Sequence, residues 1–296
     1  MTLNVRRMKK HLKEDAVAYA FLLPQLVVFC IFLVYPVLEG FHLSLYETTY
    51  TRSFFVGFDN YLALFEDDIF WKSVGNTLWM VLWTTPLTII PAFFIAAVVY
   101  DKRHSYVTFV RGFYYIPTII SMAVYAMIWK WLANPTYGAL TYILTRIGFE
   151  GINLLSAQNV LGLMIILVSI MNMGQAIILY IAAMQGVDPS LFESARIDGA
   201  NNWQIIRHIL FAMVTPTTVY LVVMNVIGVM KVFVIINVMT AGGPNYASTV
   251  LMYLCYTEAF KNNRIGRACA IGVVMFLCTF AISIIPLKNF IGGKEK

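Results

Sequence analysis

Few side chains in this 296-residue sequence could do chemistry, and they fall into two groups. The first is set deep in apolar stretches: Asn76, Trp79 and Trp83 at i, i+3 and i+7, Asn172 with Gln175 on one helical face, Asn225, and Lys231, the only full charge well inside such a stretch. Amides at membrane depth either hydrogen-bond a neighbouring helix or line a wet cavity, and a lysine there needs an anion, water or a route to snorkel outward. The second group lies in one polar segment, GVDPSLFESARIDGANNWQIIRHILFAMVTP from Gly186 to Pro216, which carries Asp188, Glu193, Arg196, Asp198 and Arg207.

Reaction chemistry finds little support. His11, His42, His104 and His208 sit at or beyond the ends of apolar runs, no H-E-x-x-H occurs, and every Asp and Glu lies in a loop or tail, so an intramembrane protease has no catalytic set. Cys30, Cys255, Cys269 and Cys278 form no CxxC pair and have no histidine nearby, which removes the usual zinc and redox patterns. No G-x-x-x-x-G-K-[ST] phosphate cradle is present, so the chain has no nucleotide site of that kind. No cofactor is expected.

The elements that must hold these residues are membrane helices. The chain is 60% hydrophobic and 12% charged with a mean hydropathy of +0.74, where soluble domains carry about a quarter charged residues. About 20 apolar residues cross ~30 Å of hydrocarbon, and six stretches qualify: 16–38, 74–100, 107–131, 160–184, 215–240 and 268–287. The first contains Pro24 and Pro36 and lacks a small-residue cleavage pattern, so it reads as a permanent span rather than a signal peptide. A basic segment 1–15 and a tail 289–296 flank a transmembrane domain over 16–288.

Arg6, Arg7, Lys9, Lys10, Lys13, Lys102, Arg103, Arg111, Arg196, Arg207, Lys288, Lys294 and Lys296 then share one side, and the positive-inside rule places both termini in the cytoplasm. The net charge of +6 sits in short clusters beside apolar runs rather than on one stripe, which argues against a nucleic-acid partner. The partner is the lipid bilayer. Trp83 falls ~13 Å below the start of the second span, deeper than an interfacial belt.

The inner loop 185–214 reads as helix. Asp188 can cap a helix that begins at Pro189, Ser190 to Glu193 fits an S-x-x-E capping box, and Gly199 supplies the stop. Asn201 can start a second helix through Trp203, Ile206, Ile209 and Leu210. A short helix capped at both ends on the inner face is a docking element; its Glu193 faces either a partner or Arg196 at i+3, a pair worth a few tenths of a kcal/mol.

This loop resembles the signature of ABC importer permease subunits: E-A-A, three residues, G, then about nine residues and I-x-L-P. The sequence has Glu193, Ser194, Ala195, Asp198, Gly199, Ala200, Ile209 and a later Pro216, departing at Ser194, usually Ala, and at Ala212, usually proline. D-G-A, Lys231-Val232-Phe233, Thr240-Ala241-Gly242-Gly243-Pro244, Glu258-Ala259-Phe260 and Ile265-Gly266-Arg267-Ala268 look like the carbohydrate-uptake, maltose-type branch.

The resemblance implies an all-α, six-helix, type I ABC importer permease in a bacterial inner membrane, itself no enzyme. Glu193, Ser194, Ala195, Asp198, Gly199 and Ala200 would form the contact with a cytoplasmic ATPase. ATP would be bound by two copies of that subunit. A second, similar permease and an extracytoplasmic sugar-binding protein would complete the assembly. A sugar is held by stacking on aromatic rings and by amides, so Trp83, Asn172, Gln175, Asn225 and Lys231 become candidates for the translocation path. A glycerol-phosphate permease is the alternative within the branch; a secondary transporter would need membrane-embedded acids or inverted repeats, and neither is seen.

Overall fold

The computed structural model describes Tyr19, residues 21–149 and residues 151–292. The basic segment 1–15, the start of the first span and Lys294 and Lys296 lie outside the described residues. Among the described residues five helices are long and apolar enough to cross a membrane, six if a sharply bent pair is counted as one span. The first, α1 (Phe21–Leu43), stands free of the bundle along its most apolar window and meets it near its outer end, where Phe41 packs edge-to-face on Phe276 at 5.9 Å.

The loop that follows, outer by the positive-inside expectation, is structured. A hairpin pairs β1 (Tyr46–Thr48) with β2 (Ser53–Phe55), and α2 (Asp59–Phe65) leads into the long α3 (Asp68–Val99). The second span was expected from Val74, because Asp68, Lys72 and Asn76 depress its hydropathy; the helix instead begins six residues earlier. Asp67 caps it by accepting from the Ile69 N–H at 2.8 Å, and 32 residues reach ~48 Å, well past the hydrocarbon.

The third span is not one helix. It breaks into α4 (His104–Ile119) and α5 (Met122–Leu132), bent by 91°. Pro117 removes a helix donor, the β-branched run Thr118-Ile119-Ile120 favours extended backbone, and Ile120 and Ser121 adopt it, with ψ of 136° and 134°. The Thr118 hydroxyl fastens the corner to the Met171 carbonyl at 3.1 Å.

After α6 (Ala139–Arg146), α7 (Val160–Gln185) runs unbroken. The α4–α7 crossing is close at Gly174: a Cβ there would lie 2.1 Å from the Tyr114 carbonyl oxygen. The inner loop forms α8 (Pro189–Ile197) and α9, a continuous stretch of Asn202–Gln204, a π-helical turn Ile205–Leu210 and Phe211–Met213.

The fifth crossing, expected as one helix, is α10 (Thr215–Met230) and α11 (Val234–Met239). The break falls on Lys231-Val232-Phe233 and leaves Lys231 exposed; a lysine held inside a continuous membrane helix would be costly to bury. On the outer side come α12 (Leu251–Tyr256) and a π-helical turn Thr257–Lys261, then α13 (Ile265–Gly292).

α13 starts three residues before the expected Ala268 because the charge of Arg267 is neutralised. Its guanidinium pairs with Asp67 and lies 3.7 Å from Glu258, whose side chain is 8% exposed. Gly266 meanwhile touches the Tyr46 carbonyl so closely that a Cβ would lie 1.8 Å from it. The E-A-F and I-G-R-A runs thereby tie the outer ends of α3 and α13 and the hairpin into one cap.

Among the described residues three buried cores follow one another along the bundle. An inner one joins Phe93, Ile177, Tyr180, Ile181 and Leu210 to Phe192 of α8. A central one joins Met80, Tyr125, Met164, Leu167, Val229 and Ile235, and a small outer one joins Leu64, Phe70, Leu251 and Ile271.

Candidate functional site

α8 is built by local chemistry. Asp188 accepts from the Ser190 N–H at 2.9 Å, and that bond, with the Ser190 hydroxyl, holds its carboxyl below the ordinary range. The cap is thus ionised at neutral pH and its contribution is lost only as pH falls through this lowered value. The expected Ser190–Glu193 capping box does not form, because Asp188 with Pro189 at the first helical position has already taken the cap. The box appears one helix later instead: Gln204 N–H donates to Asn201 Oδ1 at 2.9 Å and the Asn201 N–H to Gln204 Oε1 at 2.7 Å.

Gly199, at φ +84°, closes α8 with a paired turn: its N–H donates to Arg196 O at 3.1 Å and the Ala200 N–H to Ala195 O at 2.9 Å. With Ala rather than proline at 212, the bend falls two residues later, at Val214 (φ −93°, ψ 6°), and Pro216 starts α10.

One face of α8 is anchored. Phe192 is buried in the inner core and its ring lies 5.9 Å from that of Tyr100, while Ala195 and Ala200 pack beside it. The other face presents Glu193, Ser194, Asp198 and Ile197, the last 86% exposed. Among the described residues Glu193 enters no ion pair, with Arg196 or any other. Ile197 was missed by sequence reading; its exposure on a polar loop becomes visible only once the helix phase is fixed by Phe192. Trp203 extends the anchor by stacking on Phe94 at 6.0 Å.

Between the inner and central cores lies a cavity of about 190 Å³, lined by Thr88, Asn172, Gln175, Tyr220, Asn225 and Gly228 among others. Three of the sequence candidates thus converge. None of the lining side chains is a carboxylate, ammonium or guanidinium; amides and hydroxyls offer both donors and acceptors, the pattern a polyol can satisfy. Asn225 is 8% exposed and accepts from the Thr85 hydroxyl at 3.2 Å, so it joins two helices as well as facing the cavity.

Tyr220 and Thr88 were not singled out from sequence, since both residue types are ordinary in apolar helices. Trp83 and Lys231 are not among the lining residues. Trp83 lies about 22 Å along α3, is 45% exposed and packs edge-to-face on Trp79 at 5.8 Å. Lys231 sits at the break of the fifth crossing, three residues beyond Gly228. Asn76 is occupied elsewhere, donating to Tyr246 O and Thr249 O on the outer loop.

No family model matches the chain. It is 32% identical over 290 residues, 96% of this chain and 99% of the relative, to the probable ABC transporter permease protein YurN of Bacillus subtilis (strain 168). It is 27% identical over 274 residues, 91% and 92% of the two chains, to the sn-glycerol-3-phosphate transport system permease protein UgpA of Yersinia enterocolitica. The fold matches a bacterial alginate ABC transporter, solved in complex with an alginate pentasaccharide-bound periplasmic protein, with a TM-score of 0.78 at 25% identity over 94% of both chains. These full-length likenesses, on a bundle with an anchored inner-loop helix, show that the chain belongs to the ABC transporter permeases of the carbohydrate-uptake importer kind, membrane subunits that are not themselves enzymes.

Proposed function

We propose that the chain forms one half of the membrane pathway of a sugar importer, with both termini in the cytoplasm of a bacterial cell. A second permease supplies the other half, an extracytoplasmic binding protein delivers the sugar, and two ATPase subunits close beneath it. The observation that carries this reading is α8: a helix fixed to the membrane core by Phe192 yet presenting Glu193 and Ile197 outward. Displacing α8 moves Phe192, and through the inner core Ile89, Ala176 and Leu221, which also line the cavity. Drive applied at the cytoplasmic helix therefore reaches the substrate groups through packed side chains.

The uncharged cavity favours a neutral sugar. An anionic substrate such as a glycerol phosphate is the second reading, favoured by Lys231 just beyond the lining residue Gly228. Nucleotide binding falls to the partner, because this chain has no phosphate-cradling loop of the G-x-x-x-x-G-K-[ST] type. Affinity purification of the tagged chain from its native membranes is expected to bring down an ATPase with such a loop and a second permease, and the chain isolated from them is expected to bind no ATP. Saturable nucleotide binding to the isolated chain, or stable recovery with no ATPase, overturns the reading.

A further inference from the structure

The outer loop helix α6 carries an apolar stripe that the bundle leaves partly uncovered. Its apolar residues recur at i, i+3, i+4 and i+7: Leu140, Ile143, Leu144 and, just past the end, Ile147. On a soluble domain such a stripe turns toward the core. Here Thr141 is the one buried residue of the helix, at 7% exposure, while Leu140 and Leu144 are half-buried and Ile143 and Ile147 are 55% and 65% exposed. None of the four stripe residues joins any of the three cores.

Hydrogen bonds fix the height of this helix. Along α5, Tyr125 OH donates to Leu167 O at 2.9 Å, seven residues into α7, and Lys130 Nζ to Val238 O at 2.9 Å, next to the end of α11. Ala133 then packs in the same core as Val160, the first residue of α7. The chain has therefore reached the outer ends of two crossings only six residues before α6 begins. The 26 residues of α7 extend ~39 Å against ~30 Å of hydrocarbon, so these ends lie among lipid headgroups.

The neighbouring side chains match that zone. Trp131 and Tyr137 are 68% and 63% exposed and their rings meet at 5.7 Å. Arg146 Nε donates to Tyr142 OH at 3.0 Å and its guanidinium lies over that ring. Trp, Tyr and Arg are the residues that anchor proteins at a membrane interface.

The geometry points to α6 as an interfacial anchor of the outer leaflet, its Ile143–Ile147 stripe among the acyl chains and Arg146 at the lipid phosphates. The test uses the whole transporter in nanodiscs of phosphatidylethanolamine and phosphatidylglycerol. Spin labels on Ile143→Cys and Ile147→Cys, with the four native cysteines changed to serine, are expected to collide more with oxygen than with a nickel chelate. Should that background fail to assemble, p-benzoylphenylalanine in place of Ile143 in the otherwise native chain is expected to photocrosslink to phospholipid. Greater access to nickel than to oxygen, access to neither, or a crosslink to the second permease or the binding protein overturns the assignment.

Discussion

Glu193→Lys is expected to abolish substrate-stimulated ATP hydrolysis by the assembled transporter while the membrane bundle still inserts and is recovered in normal amount. Glu193 is exposed and contributes to no core, so its replacement leaves the fold of α8 intact. At an interface, truncating one partner of a buried, hydrogen-bonded charge pair costs about 2–5 kcal/mol, roughly 30-fold to several thousand-fold in affinity, and reversing the sign adds repulsion. Gly199→Asp should act in the same direction by another route. At φ +84° a Cβ strains the turn by about 1–2 kcal/mol, which disturbs the angle at which α8 is presented. The check is hydrolysis together with ATPase retention on the purified complex. Normal stimulation with the ATPase still bound, in both variants, would remove α8 as the docking element.

The second large effect concerns the cavity. Asn172→Ala and Gln175→Ala are expected to lower uptake by roughly 5- to 150-fold in apparent affinity, the loss of a sugar hydrogen bond of ~1–3 kcal/mol, with complex yield unchanged. Asn225→Ala should lower both, because it also removes the partner of the Thr85 hydroxyl, an interhelical bond worth ~0.6 kcal/mol on average. Trp83→Ala, outside the cavity lining, should change uptake less than any of the three. Unchanged uptake with reduced yield at Asn172 and Gln175 would make them packing groups.

What the sequence disclosed was what local chemistry dictates. The docking helix was legible because a cap, a first-position proline and a glycine stop lie within twelve residues of one another, from Asp188 to Gly199. Asn172 and Gln175 were found because helical period puts i and i+3 on one face. The bends were invisible for the opposite reason: hydropathy averages over a window, and Pro117 and Lys231 weigh little in it, although one lies three residues before the bend at Ile120 and the other marks the break of the fifth crossing.

The cap at Ser190 was misread because two candidate caps lay two residues apart and only the chain's path selects between them. The helices α3 and α13 begin outside the expected spans because Asp67, Glu258 and Arg267 look like loop charges until they meet, the first two separated from the third by 200 and 9 positions. Tyr220 and Thr88 carry no signal at all, since a cavity is a property of how helices cross.

Whether a separate ATPase drives transport through this chain is read from uptake into proteoliposomes holding the co-purified complex, with binding protein and labelled sugar outside and nucleotide enclosed. Accumulation is expected with ATP and not with a non-hydrolysable analogue, and it should vanish with Glu193→Lys. Accumulation by the chain alone along a proton or sodium gradient, with no nucleotide present, would make it an ion-coupled transporter instead.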